Sequence, residues 1–180
     1  IDRAMAKQLK EVGLSYVGVS LDGGEEVHDH FRGVKGAFRR ALEGLDYCRE
    51  EGIKVGLRFT INKRNAVEVP KIFDILRERD IPRVCFYHLV YSGRGTELIN
   101  EDLNHQETRA VVDLIMDKTR ECFDAGTPKE VLTVDNHADG PYVWMRLLKE
   151  DPKRAEEVFQ LLQFNEGNSS GRGIGCISWN

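Results

Sequence analysis

The chain has 180 residues, 41% hydrophobic and 31% charged, a balance that suits a soluble globular unit. A net charge of −4 argues against a general nucleic-acid binder, because no basic stripe offsets phosphate repulsion. No apolar run is long enough to span a bilayer, and Ile1-Asp2-Arg3-Ala4-Met5 opens directly into a charged helical pattern, so a cytoplasmic location is expected.

Helical and strand patterns alternate along the chain. Ala4, Leu9 and Val12 read as a helix closed by Gly13. Leu14 to Leu21 is a nearly continuous apolar run, as expected of a strand covered on both faces. A polar loop holding His28, Asp29 and Arg32 is expected to follow it. Phe38, Ala41, Leu42, Leu45 and Cys48 fall at helical spacing, with Gly52 as the stop. Ile53 to Ile61 predicts the second strand. Val69, Ile72, Phe73 and Leu76 predict an amphipathic helix with Pro70 in its first turn. Val84 to Tyr91 is strongly β-forming. A long helix through Val111, Leu114, Ile115, Cys122 and Phe123 stops at Gly126, and Val131 to Val134 forms a short fourth strand. Asp135 to Gly140 is a polar loop. The last helical region divides at Asp151-Pro152, and its apolar face runs through Val158, Leu161 and Leu162.

Four strands alternating with helices imply parallel β-α units, either in an open sheet or in a barrel segment. Residues 1–164 are read as this β-α region. Residues 165–180 are read as a Gly/Ser/Asn-rich linker followed by an apolar strand, Gly173 to Trp179. Residue 1 is not Met and Asn180 stops inside that strand pattern, so an excerpt of a longer polypeptide is expected.

In a parallel α/β sheet the chemistry collects beyond the carboxyl ends of the strands. The polar residues there are Ser20 and Asp22, with His28, Asp29 and Arg32 after them; Arg58, with Thr60, Asn62 and Asn65; His88 and Arg94; and Asp135-Asn136-His137-Ala138-Asp139. Each also has a plain structural reading: Asp22-Gly23 as a turn, His28-Asp29 as a helix cap, His88 as a core histidine. Arg58 sits between Leu57 and Phe59, where a guanidinium needs an anionic partner or a water-lined cavity. The 135–139 run has metal-binding residue types but no second group of ligands. Cys48, Cys85 and Cys122 lie in apolar patterns and read as buried free thiols, without a C-x-x-C pair. Phosphate-binding loops, H-E-x-x-H and G-x-S-x-G are absent, which disfavours nucleotide, zinc-assisted and serine hydrolysis.

Ser20-Leu21-Asp22-Gly23 with His28-Asp29 and Phe31-Arg32-Gly33 resembles a strand segment of radical S-adenosylmethionine enzymes that carry a SPASM-type auxiliary-cluster domain. Val55 to Thr60, Cys85 to Gly95, Val134 to Tyr142 and Asn165 to Gly171 extend the resemblance to the tetrapyrrole-modifying group. That group comprises the enzymes of haem d1 synthesis and the didecarboxysirohaem deacetylases. The resemblance implies a partial (β/α)6 TIM-like barrel, of which this chain holds roughly the last four β-α units. It also implies a 4Fe–4S cluster that cleaves S-adenosylmethionine to a 5′-deoxyadenosyl radical, with loss of acetate or propionate from a sirohaem-derived ring.

The cluster-binding C-x-x-x-C-x-x-C lies outside this chain, so the chain alone is expected to be inactive. An auxiliary 4Fe–4S cluster is implied too, with its cysteines beyond Asn180. Cys176 stands near a ligand position but within an apolar strand, and is not assigned as one. By position, the resemblance gives Ser20, Asp22 and Arg58 to S-adenosylmethionine and His88, Arg94 and His137 to the substrate, with ferredoxin or flavodoxin as electron donor. A radical peptide maturase and a non-enzymatic α/β module binding an anionic ligand are the alternatives.

Overall fold

Between residues 54 and 60 the buried side chains Val55, Leu57 and Phe59 alternate with the exposed Lys54, Arg58 and Thr60. This period of two builds a strand with one face in the core and one outside it. The computed structural model describes residues 1–91 and 93–164. Its elements are α1 (Arg3–Glu11), β1 (Tyr16–Ser20), α2 (Glu25–Arg32), α3 (Ala37–Glu50), β2 (Lys54–Thr60), α4 (Val69–Glu78), β3 (Arg83–Tyr87), α5 (His105–Asp124), β4 (Glu130–Val134), α6 (Asp139–Glu150) and α7 (Pro152–Phe164). Two 3-10 segments lie at Ala66–Glu68 and Gly93–Glu101.

The strands stand in the order β1-β2-β3-β4, and β1–β2 and β2–β3 pair in parallel. Strand following helix following strand in this order makes an α/β segment of a (β/α) barrel type. The register sets Ser20 beside Arg58, Arg58 beside Cys85, and Thr60 beside Tyr87. At the opposite ends of the strands, Arg83 grips Glu130 through two bonds of 2.7 Å, and the Glu130 N–H donates to Pro82 O at 2.9 Å. This forked pair fastens β4 to β3.

The core side of the sheet gathers Val17, Leu21, Leu57, Phe59, Val84 and Phe86 against Leu45, Ile72, Phe73 and Leu76 of the helices. Phe73 stacks on Phe86 at 5.8 Å, and Phe59 meets Phe86 edge-on at 5.7 Å. The chain divides into two compact units, Ile1–Thr133 and the part from Val134 onward. Within the second unit α6 and α7 pack together, with Trp144 and Phe159 5.4 Å apart. No described helix is long and apolar enough to cross a membrane.

Two local readings are revised. The segment expected as a polar loop after β1 contains a helix, α2. It has Glu25 and Glu26 in its first turn and His30 and Arg32 in its last, charges that favour each helix end. Strand β3 stops at Tyr87 rather than Tyr91. Its partner β2 ends at Thr60, and the Ile61 N–H bond to Tyr87 O at 2.8 Å is the last rung. The stretch after it winds into the 3-10 segment at 93–101. The expected linker, the strand Gly173 to Trp179 and Cys176 all lie outside the described residues.

Phe73→Ala removes a fully buried ring that stacks on Phe86. It is expected to cost about 3–5 kcal/mol. In the full-length protein this is read as faster hydrogen exchange in β2 and β3, and an unchanged exchange rate there would contradict the packing described.

Candidate functional site

At the end of β1 the backbone leaves the sheet through a junction fastened from three sides. Asp22 is 5% exposed, and its Oδ2 lies 2.7 Å from Arg32 Nε while its Oδ1 accepts from Arg32 Nη2 at 3.2 Å. The Asp22 N–H donates to His28 Nδ1 at 3.1 Å. That bond occupies the Nδ1 lone pair and places the ring proton on Nε2. Nδ1 also stands 3.0 Å from Asp22 Oδ2, but a nitrogen accepting from the backbone cannot donate there as well. The contact with Arg32 is therefore what compensates the buried carboxylate. It is an ion pair rather than an aligned hydrogen bond, so Oδ2 keeps bonding capacity. Next along, the Gly24 N–H at the start of α2 donates to Glu68 Oε2 at 2.8 Å.

His28 and Asp29 are adjacent in sequence and do different work. His28 is buried, edge-on to Phe38 at 6.1 Å. Asp29 caps the following helix, α3: its carboxylate accepts the Phe38 N–H at 2.8 Å and the Gly36 N–H. These two backbone donors, Phe38 foremost, hold Asp29 below its ordinary value of 3.8.

The non-core face of the sheet is polar. Tyr16, Gly18 and Ser20 of β1, Lys54, Gly56, Arg58 and Thr60 of β2, and Arg83, Cys85 and Tyr87 of β3 alternate onto it. Two strand glycines make room for long side chains. A Cβ at Gly18 would stand 3.1 Å from Arg58 Cδ, and one at Gly56 would stand 2.3 Å from the Tyr16 hydroxyl. Arg58 therefore lies across β1, with its guanidinium 4.7 Å from the Tyr87 ring centroid. Among the described residues Arg58 has no carboxylate partner. Tyr16 crosses Gly56 toward Arg83, whose guanidinium carbon lies 5.0 Å from the Tyr16 ring centroid. Burial pushes both the Tyr16 hydroxyl and the Cys85 thiol up.

Of the residues flagged from sequence, Ser20 and Arg58 are brought together as exposed neighbours on this face. Asp22 lies beneath them in the junction. Asn62 and Asn65 are consumed by their own loop: Asn65 Oδ1 accepts the Asn62 N–H at 2.9 Å, and Asn65 Nδ2 donates to Thr60 O at 3.0 Å. His88 is half-buried directly after β3. Arg94 falls in the 93–101 segment, and its side chain lies outside what the structure describes. His137 is exposed in the second unit, within a loop closed by Asn136 Nδ2 donating to Asp139 Oδ1 at 2.7 Å. No group of three potential metal ligands occurs among the described residues, so the metal-like look of 135–139 is not matched by geometry. Cys48, Cys85 and Cys122 are free and buried, as their apolar surroundings implied.

Sequence reasoning missed Tyr87 under Arg58 and Glu68 at the start of α2. Only the first had a local signal, the glycines at 18 and 56 in otherwise β-forming strands.

Asp29→Asn is expected to destabilise the full-length protein, with a pH signature. The folded carboxyl titrates below the unfolded one, so its contribution is complete above roughly pH 5 and is lost as pH falls through the depressed value. Melting curves of variant and wild type should therefore converge on acidification. A gap that stays constant across this range would refute the capping role.

The comparisons with known proteins agree with this architecture. Residues 1–76 match the model of the Radical SAM superfamily. An Fe-coproporphyrin III synthase of Methanosarcina barkeri is 67% identical over 179 residues, 99% of this chain and 45% of the relative. A pre-heme d1 synthase of Dinoroseobacter shibae is 38% identical over 176 residues, 96% of this chain and 43% of the relative. The chain thus spans somewhat under half the length of these relatives. A solved structure of anSMEcpe with bound AdoMet and peptide superposes with a TM-score of 0.60 at 21% identity, over 73% of this chain and 37% of that one, a likeness of fold. On these matches residues 1–76 carry the radical SAM superfamily pattern, and the chain as a whole is similar to tetrapyrrole-modifying members of that superfamily.

Proposed function

We propose that this chain is the later part of the barrel of an enzyme that removes acetate side chains from a sirohaem-derived tetrapyrrole, yielding an Fe-coproporphyrin III-type product. The 67% identity to a synthase of that product supports this reading over loss of propionate, the chemistry implied for the more distant haem d1 relative. Residues 165–180 would begin the auxiliary-cluster region.

The observation that carries the reading is Arg58. An exposed guanidinium lies on the polar sheet face beside Ser20, with its stem against Gly18, its charge over Tyr87, and no carboxylate partner among the described residues. This donor set fits the methionyl carboxylate of S-adenosylmethionine, which a guanidinium can hold in a forked, charge-assisted pair. Ser20 adds a hydroxyl at the same level, and Asp22 keeps the strand exit in place. When bound next to a reduced iron–sulfur cluster, S-adenosylmethionine supplies the radical chemistry. The described residues hold no ligand group for such a cluster, so both it and the auxiliary cluster are assigned to other parts of the protein. His88, Arg94 and His137 are assigned to the substrate side by their positions after β3 and β4. A low-potential donor such as ferredoxin or flavodoxin would supply the electron. The protein would work in the cytoplasm without a nucleic-acid or membrane partner.

The test is anaerobic reconstitution of the full-length protein with S-adenosylmethionine, a reductant and 12,18-didecarboxysirohaem. The expected result is loss of the acetate mass from the tetrapyrrole. No mass change in the tetrapyrrole, with modification of a peptide instead, would overturn the reading. Arg58→Ala should weaken S-adenosylmethionine binding by about tenfold or more, read by equilibrium titration. Arg58→Lys, which cannot form the fork, should recover only part of it.

A further inference from the structure

Beside the end of β1 lies an open cavity of about 560 Å3, lined by Ser20, His28, Arg32 and Arg40 together with apolar side chains, among them Ile1, Val34 and Ala41. We propose that this cavity, which meets the Arg58 site at Ser20, is a subsite for a carboxylate of the tetrapyrrole substrate, an inference that rests on the tetrapyrrole reading above.

Its walls offer donors. His28 is 3% exposed, and with Nδ1 committed to the Asp22 N–H, its ring proton sits on Nε2. Among the described residues Nε2 has no partner. That N–H is open to the cavity and can donate to an acceptor bound there. Arg32 is held by Asp22 through Nε and Nη2, which fixes the guanidinium plane and leaves Nη1 for another bond. Arg40 is exposed and makes only a 3.5 Å contact to Lys35 O. No carboxylate lines the cavity. The sequence from 30 to 40 reinforces the sign of the field: His30, Arg32, Lys35, Arg39 and Arg40 occur there without one Asp or Glu, in a chain of net charge −4.

Two sources could bring a carboxylate. S-adenosylmethionine carries an ammonium beside its carboxylate, and that ammonium would enter a cationic cavity with no anionic wall. Arg58, which does not line this cavity, already suits it. A ring bearing several carboxylates and no cationic group fits better, and Val34 and Ala41 give its hydrocarbon side chains an apolar surface.

The experiment titrates the full-length, reconstituted protein with Fe-coproporphyrin III, following the Soret band, and in parallel with S-adenosylmethionine by calorimetry. Arg40→Ala, a surface substitution expected to fold normally, should raise the Kd for Fe-coproporphyrin III about tenfold and leave that for S-adenosylmethionine within about twofold. Arg40→Lys should restore most of the affinity, and the methyl ester of the porphyrin should bind wild type and Arg40→Ala alike. If Arg40→Ala binds Fe-coproporphyrin III as wild type does, the subsite is wrong while the tetrapyrrole reading stands. If only S-adenosylmethionine binding falls, the carboxylate belongs to that molecule and the proposal is overturned. If wild type fails to bind Fe-coproporphyrin III at all, the underlying reading falls and the subsite with it.

Discussion

The ion pair between the buried carboxylate of Asp22 and the exposed guanidinium of Arg32 is the constraint on which the arrangement of this region depends. A carboxylate 5% exposed is tolerable only with a positive partner, and the partner comes from the far end of α2. The pair therefore ties the strand exit to the last turn of the helix that follows it. Between these two points His28 accepts the Asp22 N–H, and Glu68 holds the N–H of Gly24, the residue that caps α2, from the other side. The exit of β1 is thus specified by two side chains of α2 and by Glu68, and the position of Ser20 is inherited from it.

The sheet itself supplies the second ingredient, a clean division of its faces. The core face is closed by phenylalanines and branched aliphatics. The opposite face keeps arginine, tyrosine, serine and threonine at the same strands. Gly18 and Gly56 decide how these long side chains lie, because each removes a Cβ from a place where a neighbour must cross. Without those gaps Arg58 would stand away from β1 and Tyr16 would clash with β2. Small residues in the strands thus orient the large ones.

Much of this was legible from sequence, because periodicity reports burial. The apolar alternation of Lys54–Thr60 and the helical spacing of Val69, Ile72, Phe73 and Leu76 follow from which face is in the core. What escaped depends on contacts between distant segments. Helix α2 has only Val27 and Phe31 as large apolar residues over eight positions, too few to display a period. It is held instead by Asp22 and Glu68, which no local pattern announces. Strand β3 was read too long because Leu89, Val90 and Tyr91 favour β structure, whereas the length of a strand is set by its neighbour. At the site, Arg58 was conspicuous as a charge in an apolar run. Arg40 was not, since an arginine on an amphipathic helix looks like any solvated side chain. Asp22 was visible as a polar strand-exit residue, but its pairing with Arg32 is a tertiary fact.

The three buried thiols bear on how such a protein can be handled. Burial raises the Cys85 and Cys48 thiols, Cys85 even with two arginines nearby, so both sulfurs remain protonated where an ordinary exposed cysteine would begin to ionise. Protonated, enclosed sulfur is a poor nucleophile and a poor metal ligand. When free iron and sulfide are supplied to rebuild a cluster, Cys48 and Cys85 therefore make poor decoy ligands.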